Sequence, residues 1–396
     1  MKKITSLLLA LLLVFSLTAC GEKKNPADTK EETTKESMDE SKEETKEETK
    51  EESKDETEEE SKDESQNEAA KEFDRKVATG EGTIEKIGLG MSVGLDAKEL
   101  KEGKGETTSN VTIAGLAFDK DGKIVKAYID VAQSKFPVKD DGTFETEPDN
   151  ATFKTKQELG DEYGMKKTSA KIGIGKEYFE QANAFAEYII GKTAEEVAAI
   201  PTAKKDDHHL NVPKDADLLA SVTIDIGAYQ KAVLDAWENA IEAKGAEKLG
   251  LSISTKLGHA TAAAKDDKGA EVQFETSAVL AGVDKDSKVV NSSINTAQNS
   301  IAFKKDGTVE TDLTQPGTTK RDLGDKYDMK KASKIGKEWF EQIDGLQAFS
   351  VGKTADDISG LELDKGKAKD ADLLATTTIT ITEYVENLAK AIQTAK

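Results

Sequence analysis

LGDEYGMKK, Leu159–Lys167, returns as LGDKYDMKK at Leu323–Lys331. Other segments keep step with it. IGKEYFEQ (Ile174–Gln181) returns as IGKEWFEQ (Ile335–Gln342), and GKTAEEV (Gly191–Val197) as GKTADDI (Gly352–Ile358). DADLLASVTIDI (Asp215–Ile226) returns 155 residues later as DADLLATTTITI (Asp370–Ile381). Both halves run in one order: a strand-rich front, the LGDxYxMKK segment, an amphipathic helix, GKT, the DADLLA segment and a terminal helix. The chain therefore reads as two tandem homologous domains, residues 76–245 and 246–396. At roughly 150 residues each, both are large enough to bury their own core. Two copies are too few for a solenoid.

Within each copy the hydrophobic pattern changes period. VTIAGLAFD, KIVKAYIDVA, AEVQFETSAVLAGVD and KVVNSSINTAQ alternate as strands do, separated by the turn sequences DKDGK, DKDSK, KDDGT and KKDGT. IGKEYFEQANAFAEYIIGKT then places Phe179, Ala182, Ala186 and Ile189 at helical spacing, with Gly191 as the stop. Its partner gives the weaker stripe Phe340, Ile343, Gln347 and Val351. AYQKAVLDAWENAIEAK and EYVENLAKAIQTAK predict closing helices, while DADLLA and its Thr-rich tail read alone as a turn followed by a strand. Strands in succession followed by helices argue for α+β domains rather than a βαβ repeat.

The N-terminus fixes the expected compartment. MKKITSLLLALLLVFSLTAC has two lysines, an apolar run from Leu7 to Leu17 and small residues up to Cys20, the pattern of a signal peptide over residues 1–19. Its ending, Leu17-Thr18-Ala19-Cys20, resembles the lipobox of bacterial lipoproteins, in which cleavage precedes a lipidated cysteine. Cys20 is the single cysteine of 396 residues, and it stands where a stable, multiply acylated anchor needs it. The resemblance implies a chain held by lipid on the extracellular face of the cytoplasmic membrane.

Residues 20–75 continue as an acidic tether. Positions 21–70 hold nine lysines against twenty-one Asp and Glu, a net charge of −12 out of the chain's −21. Such a segment has too little apolar surface to form a core and predicts a disordered spacer. The acidity argues against nucleic acid as a partner and against electrostatic attachment to an anionic membrane.

Composition excludes further chemistry. Without a cysteine beyond Cys20 there are no disulfides, no CxxCH haem attachment, no thiolate-ligated cluster and no thiol nucleophile. The three histidines are His208, His209 and His259, and the adjacent pair falls in a polar loop sequence, so no metal site is expected. No Ser-His-Asp, HExxH, P-loop or GxGxxG pattern occurs.

The repeated Asp–Leu–Leu–Ala segment carries the chemistry instead. Asp217 precedes Thr223 by six residues, and Asp372 precedes Thr378 by the same interval. This resembles the D-x-x-S/T-G-A-T attachment motif of FMN-binding domains that carry the cofactor as a phosphoester on threonine, with L-A-S-V-T and L-A-T-T-T in place of the commoner ending. A lipobox, an acidic tether and two such segments together resemble the peptide-pheromone-encoding lipoprotein flavoproteins of Gram-positive extracellular electron transfer, over the whole chain. The resemblance implies two FMN groups, on Thr223 and Thr378, installed by a separate flavin transferase. It also implies electron transfer from a membrane quinol or NADH-linked donor complex to an extracellular acceptor such as ferric iron or soluble flavin.

Small neighbours, Ala220 and Ser221 or Ala375 and Thr376, would let a phosphate approach main-chain amides. Asp217 and Asp372 then serve recognition or loop shape, because a carboxylate beside a phosphate repels it. Ser221, Thr376 and Thr377 remain alternative acceptors. Tyr163 with Met165, and Tyr327 with Met329, supply groups an isoalloxazine ring wants, and Lys166 or Lys330 a positive charge. The same Tyr and Met residues could instead plug the core, as could Tyr178, Phe179, Trp339 and Phe340. The other class of function open to this sequence is a noncatalytic surface lipoprotein that binds a ligand or partner; the family resemblance further implies a released signal peptide that acts as a pheromone.

Overall fold

The computed structural model describes residues 73–171, 173–207, 209–263 and 268–396. The signal peptide, Cys20, His208 and all but the end of the expected tether lie outside the described residues. In the first copy the strands are β1 (Ala78–Thr79), β2 (Lys86–Lys98), β3 (Glu106–Phe118) and β4 (Ile124–Pro137). Helices α1 (Lys156–Leu159), α2 (Lys166–Ala170), α3 (Tyr178–Ile189) and α4 (Ala194–Ala198) follow. A ribbon of β5 (Thr202–Ala203) and β6 (Val212–Pro213) leads to α5 (Ala216–Leu219), α6 (Gly227–Glu238) and β7 (Ile241–Glu242).

The second copy repeats this order, with turns in place of α2. It has β8 (Lys248–Thr261), β9 (Glu271–Val283) and β10 (Val289–Ala302), then α7 (Lys320–Leu323), α8 (Trp339–Ser350) and α9 (Ala355–Ser359). The ribbon of β11 (Leu363–Asp364) and β12 (Lys367–Ala368), then α10 (Ala371–Leu374) and α11 (Thr382–Gln393), complete it. The class is α+β, with antiparallel sheets ordered β1-β4-β3-β2-β7 and β10-β9-β8.

The turn sequences act as their composition predicts. Asp119 accepts the backbone N–H of Asp121 and Lys123, which lets β3 reverse into β4, and Asp284 does the same for Asp286 and Lys288 between β9 and β10. Alternation along β2 sends Ile87, Leu89, Met91 and Val93 to one face, where they meet Leu249, Leu251 and Ile253 of β8 in a shared core. The opposite face of each sheet is covered by its own helices: Phe185, Ile189 and Val233 lie on Leu116 and Ile129, and Ile343, Leu346 and Leu388 on Val279 and Ile294. Helix α11 runs so close to β8 that a Cβ on Gly250 would lie 1.8 Å from the Ala391 carbonyl oxygen. Helix α6 imposes the same demand at Gly90, 1.9 Å from the Ala232 carbonyl oxygen.

Three local expectations change. DADLLA forms a helical turn rather than entering a strand, because Asp215 and Asp370 cap it: Asp215 accepts the N–H of Leu218, and Asp370 those of Asp372 and Leu373. The buried stripe of α3 is Tyr178, Gln181, Ala182, Phe185, Ala186 and Ile189, with Phe179 only half-buried. In α8 the stripe is Trp339, Gln342, Ile343, Leu346, Gln347 and Ser350, while Val351 is exposed. Finally, the helix after the first DADLLA ends at Glu238. Ile241 and Glu242 pair with Ile87 and Lys86 as β7, since β2 offers an open edge there.

Candidate functional site

Three repeated segments, separate in sequence, meet at one place in each copy. After α5 the chain buries Val222 and turns Thr223 toward α3, where Gln181 Oε1 accepts both the Thr223 N–H (3.0 Å) and its Oγ1 hydroxyl (3.3 Å). In the second copy Gln342 Oε1 accepts the Thr378 N–H (2.9 Å) and hydroxyl (3.1 Å). Both glutamines are fully buried. Their amide nitrogens face the other way: Gln181 Nε2 donates to the Lys176 carbonyl (3.3 Å) and lies 3.3 Å from Met165 Sδ. Gln342 Nε2 donates to the Lys337 carbonyl (3.1 Å) and Ser333 Oγ (3.3 Å), 3.7 Å from Met329 Sδ.

The methionine is positioned by the same helix. Gly160 and Gly324, at φ of +52° and +50°, begin a 3-10 turn ending at Tyr163 or Tyr327. The buried Glu177 carboxylate, at the N-cap of α3, accepts the N–H of Met165 and Lys166, each at 2.8 Å. Glu338 accepts those of Met329 (2.9 Å) and Lys330 (3.1 Å). The Glu and Gln of the repeated IGKExFEQ thus fix the LGDxYxMKK segment and the threonine as one unit.

Aromatic rings and a lysine, half-buried in the first copy and buried in the second, form its wall. Tyr163 donates to Gln133 Oε1 at 3.4 Å and stands edge-on to Tyr178 at 5.5 Å, and Tyr327 donates to Gln298 Oε1 at 2.8 Å. Lys156 Nζ sits 5.0 Å and 5.1 Å from the Tyr163 and Tyr178 ring centres. Lys320 Nζ sits 5.3 Å and 5.5 Å from those of Tyr327 and Trp339. Burial pulls Lys156 down to about 8, against the attraction of Asp130. Burial also lowers Lys320, with Glu275 pulling the other way. Tyr327 is pushed up to about 12, chiefly by burial and then by the Glu275 charge.

In the second copy these groups border a cavity of about 540 Å³, lined among others by Met329, Trp339, Ile379, Lys320, Glu275 and Glu383. Ile379 directly follows Thr378. A sulfur, an indole and an ammonium around a space of this size suit a flat heterocycle with one polar edge, which is the chemistry of an isoalloxazine ring.

The structure thus brings together Tyr163, Met165 and Thr223, and Tyr327, Met329 and Thr378. Asp217, Ala220, Asp372 and Ala375 lie exposed on the capped turn, with Ser221 and Thr376 half-buried. The carboxylates that shape that turn are Asp215 and Asp370. Thr377 is fully buried and donates to the Gln342 carbonyl (2.6 Å). The Lys166 and Lys330 side chains are exposed; the cations beside the rings are Lys156 and Lys320. Sequence reasoning missed the Gln, the Glu and this Lys. All three are identical between copies, the Lys three residues before each LGD, and that internal identity was the available signal. Among the described residues no group of three or more His, Cys, Asp or Glu is placed to hold a metal ion.

No protein-family model matches the chain, and no solved structure does. Over 124 residues it is 34% identical to a chlorophenol reductase of Desulfitobacterium hafniense, covering 28% of this chain and 36% of that protein. The chain thus spans about a third of that relative's length.

Proposed function

We propose that this protein is a lipid-anchored extracellular flavoprotein that carries FMN as a phosphoester on Thr223 and Thr378 and relays electrons from a membrane quinol or NADH-linked donor to an extracellular acceptor such as ferric iron or soluble flavin. The observation that carries the reading is the twofold Thr–Gln–Met constellation, built from three repeated segments and bordered by a Lys between aromatic rings. Flavinylation forms a bond from threonine Oγ1 to the phosphorus of FMN and breaks the pyrophosphate of FAD. AMP leaves, and the hydroxyl proton passes to the transferase. Bound FMN supplies reversible one- and two-electron chemistry.

This chain's residues supply the rest. Gln181 and Gln342 lose the hydroxyl donor on esterification but keep the threonine N–H, so the loop stays anchored on the helix. The exposed turn of Asp217 or Asp372, with small Ala220 or Ala375 beside it, leaves the acceptor side open to a transferase. Lys156 and Lys320 place a positive charge where reduction would add a negative one. Tyr163, Met165, Tyr327 and Met329 offer apolar contact to the ring.

The test is co-expression of the chain from Gly21 onward with a flavin transferase, read by intact mass and by fluorescence on a denaturing gel. Two FMN additions are expected, one lost in Thr223→Ala and the other in Thr378→Ala. An unmodified chain beside a flavinylated control protein overturns the reading and returns the protein to the class of surface binding lipoproteins.

A further inference from the structure

Two charged groups line the cavity of the second copy with hydrogen-bonding capacity left over. Lys320, at the start of α7, is buried, and its ammonium is set against the rings of Tyr327 and Trp339. Its carboxylate partner, Glu275 Oε1, is 3.9 Å away, an ion-pair distance too long for a hydrogen bond. The other oxygen of Glu275 lies 3.5 Å from Lys256 Nζ. The neighbouring Glu383 is engaged more closely, accepting the Ser254 hydroxyl at 2.7 Å and lying 2.6 Å from Lys256 Nζ. Among the described residues the side chains of Lys320 and Glu275 make ion pairs but no hydrogen bond. Buried polar groups are nearly always hydrogen-bonded, so an ammonium and a carboxylate in this condition beside one cavity point to a ligand that completes them.

Their order selects the ligand. Glu275 on β9 stands between Lys320 and Lys256, its cross-strand partner on β8, so an acceptor lies between two donors. The complement is an acceptor, a donor and an acceptor in a row, which is the carbonyl–N–H–carbonyl edge of a cyclic imide. Met329, Trp339 and Ile379 supply apolar surface for the flat part of such a ring. In the first sheet Gly94 pairs with Asn110 where Lys256 pairs with Glu275 in the second, so this arrangement belongs to the second copy.

We propose that Glu275, flanked by Lys320 and Lys256, reads the imide edge of a flat heterocycle in this cavity: its carboxylate accepts the ring N–H, and the two ammonium groups donate to the carbonyl oxygens on either side. The pyrimidine ring of a flavin and the base of uridine share this edge. The choice of the flavin rests on the reading of Thr378 as a flavin acceptor, although the recognition itself needs no ester bond. Glu275 is then the specificity-determining group, and the lysines add affinity.

The test is binding of lumiflavin, the bare flavin ring, to the chain from Gly21 onward expressed without a transferase, read by quenching of the ring's fluorescence. Methylation of the imide nitrogen removes the donor and is expected to weaken binding about 10- to 100-fold, the usual contribution of a hydrogen bond to a charged group. Glu275→Met is expected to abolish that discrimination, and Glu275→Gln, which keeps an acceptor oxygen, to retain part of it. Lys320→Met is expected to weaken both probes alike. Uridine is expected to compete poorly; binding of uridine tighter than that of lumiflavin overturns the flavin as the occupant. Equal binding of lumiflavin and its methylated derivative refutes the imide reading, and so does the absence of lumiflavin binding, which leaves Lys320 and Glu275 to water. These outcomes are independent of covalent labelling at Thr378, whose failure is read separately by intact mass.

Discussion

Replacing Lys156 by Met should make the protein more stable at neutral pH, although it removes a charge from the candidate site. Burial lowers this lysine from 10.5 to about 8, so below pH 8 the folded state carries an ammonium that the unfolded state holds at less cost. That difference corresponds to roughly 3 kcal/mol against folding at pH 7. The ammonium recovers part of it from the faces of Tyr163 and Tyr178, an attraction of about 0.5–2 kcal/mol. Met keeps the apolar length, so a net gain of about 1–3 kcal/mol is expected at pH 7.

The pH dependence gives the sharper test. Between the two values the unfolded chain binds more protons than the folded one, so wild-type stability rises with pH, and about 2.5 kcal/mol of the penalty is gone by pH 10. Tyrosines raised by burial, such as Tyr178 and Tyr229, act in the opposite direction at high pH but equally in both proteins. Urea unfolding of the two flavin-free proteins at pH 7 and pH 10 isolates the lysine. A stability difference that is the same at both pH values refutes the claim that Lys156 is charged at a cost.

Gly250→Ala should destabilise by about 1–3 kcal/mol, since its Cβ meets the backbone of α11, whereas Gly94→Ala, whose nearest neighbours are 4.0 Å away, should change the midpoint little; thermal unfolding compares them. Gly345→Ala, in the middle of α8, would ordinarily gain about 1 kcal/mol. Here its Cβ falls 2.8 Å from Thr376 Cβ, so a loss in denaturant stability is expected, together with slower labelling of Thr378. Arg75→Met leaves the fully buried Asp130 without its cation and should cost about 3–5 kcal/mol in the same assay. Gln181→Leu should reduce FMN incorporation at Thr223 while sparing Thr378, measured by peptide mass.

The sequence discloses the periodic parts of this fold because period and turn chemistry are local. The alternation in β3 and β9, the Asp-anchored reversals at Asp119 and Asp284, and the glycine stop at Gly191 each follow from residues within a few positions. The helix stripe shifted because the face of α3 is chosen by what it must hold: Gln181 has to reach Thr223, 42 residues away, and Tyr178 then turns inward in place of Phe179. The tertiary pairing of Ile241 with Ile87 ended α6 early for the same kind of reason. At the site, Thr and Met stood out through their motifs. Gln181, Glu177 and Lys156 did not, since their roles exist only once three segments converge, and a lysine set between two rings looks like any surface lysine in a string of letters.

The shared core gives the duplication a mechanical consequence. Ile87, Leu89 and Met91 are buried against Leu249, Leu251 and Ile253, so each sheet uses one face for its partner and only the other for its helices and its site. Tyr128 donates to the Leu249 carbonyl, and Arg75 reaches the Leu251 carbonyl while holding Asp130, so polar bonds fix the alignment of the two halves. Separating them would expose a continuous apolar face on each, a large fraction of what a domain of this size can bury. The helix-covered faces, and with them the two sites, are therefore held in fixed relation by a core that contains neither site. Substitutions such as those separating Glu275 from Asn110 can then accumulate on the outer faces without loosening the joint.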